Sequence, residues 1–149
     1  MGRLGIVISA VAALAFAQEF TFTIGSPVAS ADSRSKLAAF VFRTEGCTDV
    51  ATAQVGGTAE GLVQGTRTSV ALKLTAMSTP GVYAVYPSWP AGGDWVVNLS
   101  GTCARARAGA LIPIGPLGFI RASSKFFSRP ATAPEIDTAL QALSHERGK

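Results

Sequence analysis

For metal or acid–base chemistry the 149-residue chain offers two cysteines, one histidine and nine carboxylates. Cys47 and Cys103 lie 56 residues apart with no CxxC character, and two thiols alone make a poor metal site. His145 falls in the polar tail, where a histidine is normally solvated, and no HExxH or paired-histidine spacing accompanies it. No GxSxG elbow and no GxxxxGK phosphate loop occurs. Asp49, Glu60 and Asp94 are isolated in sequence. Two of them brought together across strands would form an acid and base pair, but strand-edge and turn charges are the plainer reading. The expectation is therefore a protein that is not an enzyme and carries no cofactor and no metal. The rival is a small secreted enzyme whose carboxylates meet in the fold, and a third reading is a passive structural envelope protein.

Binding chemistry is better represented. Trp89, in Pro87-Ser88-Trp89-Pro90, can stack on a sugar or a partner surface, or tuck back over the end of the fold. Positive charge gathers late in the chain. Residues 18–103 hold five Lys or Arg against six acids, and residues 104–149 hold seven against three. Arg105, Arg107, Arg121, Lys125 and Arg129 follow one another with no acid among them, beside Leu117, Phe119, Phe126 and Phe127. A solvated face accounts for such a run. If the aromatic residues are exposed, Arg121, Lys125 and Arg129 suit an anionic protein, an anionic glycan or an anionic membrane surface. Nucleic acid is not expected, because charge and aromatic interleaving are too sparse. Asn98-Leu99-Ser100 fits the N-glycosylation pattern but lies within an expected strand.

The compartment follows from the other end. Arg3 precedes an apolar run at 4–16, LGIVISAVAALAF, and Ala15-Phe16-Ala17 supplies the small residues a signal peptidase reads. Thirteen residues are too few for a bilayer, which needs roughly 20. A signal peptide at 1–17 is expected, with a mature start at Gln18 and a periplasmic or secreted destination. In such a compartment the even pair Cys47 and Cys103 predicts a structural disulfide. Closing a 56-residue loop is worth on the order of 4 kcal/mol in the chain-entropy account.

Period-2 alternation organises the middle of the chain. Phe20-Thr21-Phe22-Thr23-Ile24 reads as a strand, and 37–43 as a second with Phe40 and Phe42 on one face. Cys47 has the wrong parity for that face, so a bulge or turn at Gly46 must redirect it. An extended stretch at 50–63 leads through Gln64-Gly65 into 68–77, where Val70, Leu72, Leu74 and Ala76 share a face. Strands at 82–86 and 94–103 flank a Pro- and Gly-rich loop, and Cys103 shares the face of Trp95, Val97 and Leu99. A last strand at 110–114 is expected to break at Pro113. Thr132-Ala133-Pro134-Glu135 is a capping box with proline in the first turn. Ile136, Leu140 and Leu143 continue at helical spacing, predicting a helix over 133–144 and a frayed polar tail.

These signals predict an all-β protein, an immunoglobulin-like β-sandwich of about six or seven strands at 18–114. A C-terminal extension with one short helix follows at 115–149. Pro80-Gly81-Val82-Tyr83 and, after the loop, Gly93-Asp94-Trp95-Val96-Val97 resemble the closing hairpin of small exported bacterial immunoglobulin-like domains such as the YtkA-like group. The resemblance covers about twenty residues. It implies the sandwich fold and, for some members, copper handling through His and Met ligands. Here only Met77 and His145 remain after the apolar segment, on separate elements, so the resemblance carries the fold and not the copper. The combined expectation is an exported binding or interaction protein whose partner the residues do not name.

Overall fold

The computed structural model describes residues 19–27 and 32–148. The apolar run at 4–16 and the expected cleavage between Ala17 and Gln18 lie outside the described residues. Ten strands form among the described residues, more than the six or seven expected. In chain order they are β1 (Thr21–Gly25), β2 (Phe40–Glu45), β3 (Gln54–Val63), β4 (Thr66–Ala71) and β5 (Lys73–Ala76). Then come β6 (Val82–Tyr86), β7 (Asp94–Cys103), β8 (Ala106–Gly115), β9 (Gly118–Phe119) and β10 (Lys125–Phe127). Two antiparallel sheets result. One has four strands in the order β1-β2-β6-β5; the other has six, β10-β8-β7-β3-β4, with β9 paired to β8.

Alternation puts one face of each sheet into a shared core. Phe22, Ile24, Phe40, Phe42 and Val85 come from the four-stranded sheet, and Val97, Leu99, Ala110 and Ile112 from the other. Phe22 meets Phe42 edge-on at 5.5 Å between ring centroids, and Phe42 stacks on Tyr83 at 5.3 Å. The protein is an all-β sandwich with one C-terminal helix.

Three local expectations are corrected. The strand expected at 68–77 is two strands in different sheets, because the chain leaves the six-stranded sheet after Ala71 and joins the four-stranded one at Lys73. Leu72 makes the crossing, its N–H donating to the Gly57 carbonyl at 3.2 Å. Val70, Leu72 and Leu74 keep one parity throughout, since both sheets face the same core; alternation alone is blind to the change of sheet. The strand expected at 110–114 instead runs unbroken through Pro113. The Pro113 carbonyl accepts from the Ile120 N–H at 2.9 Å, on the side away from β7. A strand residue's N and O point the same way, so the missing donor costs the β7 ladder nothing. Finally, the strand expected at 37–43 starts only at Phe40, and a 3-10 turn at Val50–Thr52 precedes β3.

The other face of the six-stranded sheet carries the helix α1 (Ala133–Arg147), which ends three residues later than expected. Its capping box forms as the sequence predicts: the Thr132 hydroxyl accepts from the Glu135 N–H, and the Glu135 carboxylate accepts from the Thr132 N–H. Ile136, Leu140 and Leu143 pack on Val96 and Leu111. β7 and β8 are thus buried on both faces, which is why 108–113 reads as a continuous apolar run instead of alternating. Arginines fasten the helix at intervals. Arg67 of β4 reaches Asp137 at 3.1 Å, and Arg147 reaches back to Asp94 at 2.9 Å and to the Gly93 carbonyl at 2.7 Å. Within the tail expected to fray, residues 145–147 belong to the helix and Arg147 is held by these contacts.

Candidate functional site

Cys47 and Cys103 form the disulfide, with Cα atoms 5.8 Å apart. Gly46, at φ 79°, supplies the turn that swings Cys47 toward the core. The bond joins the segment after β2 to the end of β7, and so ties one sheet to the other.

The three isolated carboxylates do not share a site, and each has its own partner. Asp49 caps the turn at Val50–Thr52 by accepting from the Ala51 N–H. Glu60 accepts from Thr58 and Ser69 at 2.9 and 3.2 Å, with Arg67 at 3.6 Å. Asp94 is held by Arg147. His145 is exposed on the helix, whereas Met77 is buried. No three His, Cys, Asp or Glu side chains gather at metal-binding reach among the described residues.

Trp89 is half-buried against the main core. Its loop is pinned by the Ser88 hydroxyl, which donates to the Ala71 carbonyl at 2.9 Å. Trp89 thus packs back over the end of the sandwich and keeps part of its ring surface open.

The basic segment is divided by the fold. Arg129 has an acid after all. Its guanidinium binds Glu135 at 2.7 and 3.2 Å and lies 4.9 Å from the Phe127 ring centre. That pairing, followed by the hydrogen bonds from Thr132, draws the Glu135 carboxyl down to about 2 from its ordinary 4.5. Arg121 and Lys125 are different. Both are exposed, and neither makes an ion pair with any described residue. Arg121 lies 5.6 Å from the Phe119 ring centre. Lys125 borders a crevice of about 250 Å³ between β8 and the helix, which Pro113, Leu143 and Glu146 also line. Phe126 is 44% exposed and Leu117 fully so.

A larger groove of about 530 Å³ runs along the outer side of the four-stranded sheet, beside Thr23, Val41, Arg43, Ser78 and Asp32. The Arg34 guanidinium, and then Ser78, hold the Asp32 carboxyl well below the usual carboxylate range. The Tyr86 hydroxyl donates to the Arg34 carbonyl, anchoring the 32–39 connector across that sheet.

One exposed residue stands outside the sequence expectations, Leu37 at 82%, while Leu117, already placed beside the cations in sequence, sits at the tip of the β8–β9 turn. The signal for Leu117 is Gly115-Pro116-Leu117-Gly118, a tight turn between β-formers with a large apolar residue at its apex. Leu37 gives no comparable signal, because it opens an apolar run that looks like the start of a strand. No family model, curated protein or solved structure matches the chain.

Proposed function

We propose that this chain is an exported, immunoglobulin-like, non-enzymatic binding domain that docks to an anionic partner. The observation that carries the reading is the pair Arg121 and Lys125. Both are exposed and unpaired by acids among the described residues, and both lie in the segment that also exposes Leu117 and Phe126. Cations that stabilise the fold are normally engaged, as Arg67, Arg129 and Arg147 are here. Cations left free beside apolar surface suit complementary recognition. The disulfide favours an oxidising compartment. The separate engagement of Asp49, Glu60 and Asp94 favours binding over the carboxylate-enzyme reading.

Arg129 belongs to the helix anchor, so the test leaves it in place. Capture of binding partners from the native periplasm or medium is compared for wild type and an Arg121→Ser, Lys125→Ser variant across a salt series. Capture that weakens with salt and is lost in the variant, at unchanged Tm, supports the reading. Capture indifferent to both overturns it.

A further inference from the structure

We infer that one end of the sandwich is a membrane-docking tip that seats Leu37 and Leu117 in the interface of an anionic lipid bilayer. The inference rests on the binding reading above and names the partner.

The topology brings these leucines to one end. β2 begins at Phe40, three residues after Leu37, and β9 ends at Phe119, two residues after Leu117. The Phe40 and Phe119 rings lie 5.8 Å apart. The β6–β7 loop reaches the same end, since Phe40 pairs with Val85 and Ile114 with Trp95. Leu37 at 82% and Leu117 at 104% are the two most exposed large apolar residues described. They project from turns and line neither of the two cavities. Apolar side chains raised on separate turns fit a fluid apolar medium, which needs no preformed pocket. A protein partner would have to supply matched holes for both.

Charge complements an anionic surface. Lys36 adjoins Leu37, Arg121 comes two residues after Phe119 with its guanidinium 5.6 Å from that ring, and Lys73 pairs in register with Tyr86 at the same end. All three are exposed and form no ion pair among the described residues. Asp94, at the start of β7, is already engaged by Arg147. Glu146, which forms no ion pair among the described residues, lines the crevice on the helix side together with Lys125. A leucine pair ringed by cations gains from apolar burial and from attraction to acidic headgroups together.

The test is cosedimentation of the purified protein with phosphatidylcholine vesicles, with and without phosphatidylglycerol. Binding is expected only with phosphatidylglycerol, and it should weaken as salt rises. Leu37→Ser and Leu117→Ser should each weaken it roughly ten-fold. Lys36→Ala and Arg121→Ala should each weaken it roughly five-fold. All four side chains are exposed, so Tm should hold. A Leu117→Trp variant adds a direct reading: its emission should shift to the blue on anionic vesicles and not on neutral ones. The inference is overturned if the wild type ignores anionic vesicles, if the two leucine variants bind like wild type, or if the new tryptophan shows no shift. Salt-sensitive retention on immobilised heparin without vesicle binding would sink the membrane and leave the broader anionic reading standing.

Discussion

The backbone of Arg129 crosses directly over Gly109, so close that a Cβ on that glycine would overlap the Arg129 carbonyl oxygen. This crossing carries the chain from β10 over the face of β8 and into the helix. Gly109 lies in a strand with ordinary backbone angles, so what it provides is room. A Gly109→Ala substitution must push the connector off the sheet, and overpacking of that kind costs typically 1–3 kcal/mol. Chemical denaturation should show a lower midpoint, and hydrogen exchange should localise the loosening to β10 and the start of the helix.

The disulfide spans a long loop and links the sheets. Cys103→Ala should lose about 2–5 kcal/mol, measured by denaturant unfolding against the oxidised wild type. Reduction of the wild type should produce a similar loss. Non-reducing peptide mapping that finds two free thiols would contradict the structure.

Thr132 begins the helix with its hydroxyl on the Glu135 N–H. Thr132→Ala should cost about 1 kcal/mol, read as a lowered Tm.

Acid should loosen the same corner. The Glu135 pKa is depressed from 4.5 to about 2 by Arg129 and then Thr132. A depressed carboxyl stabilises the fold above its unfolded pKa, and that stability is lost as pH falls through the folded one. Wild-type stability should therefore decline between pH 4.5 and about 2. Glu135→Gln should flatten that part of the profile, and high salt should mute the difference because the pair is exposed.

Leu140 is fully buried between the helix and the six-stranded sheet. Leu140→Ala should destabilise by about 2–5 kcal/mol in thermal or denaturant unfolding. A loss well below that range would show that the helix contributes little to the fold.

Where burial is one-sided, the chain announced its structure. Thr23 between Phe22 and Ile24 marks β1, and even in β7, whose start is buried on both faces, the shared parity of Trp95, Val97 and Cys103 marks the core side and the disulfide. Capping chemistry at Thr132, Pro134 and Glu135 marked the helix start to the residue. Two of the misses have one physical source: alternation reports which side is buried, not by what. Leu72 keeps its parity while the chain changes sheets, and β8 shows no alternation because the helix covers its second face. Of the candidate surface, Arg121 and Lys125 were visible as cations, but the capture of Arg129 by Glu135 depends on a turn geometry that spacing does not express. Leu37 was hidden inside an apparent strand.

The change of sheet at Leu72 leaves the two flanks of the sandwich unlike each other. On the β4–β5 flank the main chain itself passes from sheet to sheet. On the opposite flank the edge strands β1 and β10 share no strand pairing among the described residues, and Phe126 lies half-open at that seam. Thermal breathing should then be lopsided, with the molecule opening like a book whose spine is Leu72. β1, the outermost leaf, should be the first strand to exchange its amide protons, and at high concentration the piece most readily traded between two copies.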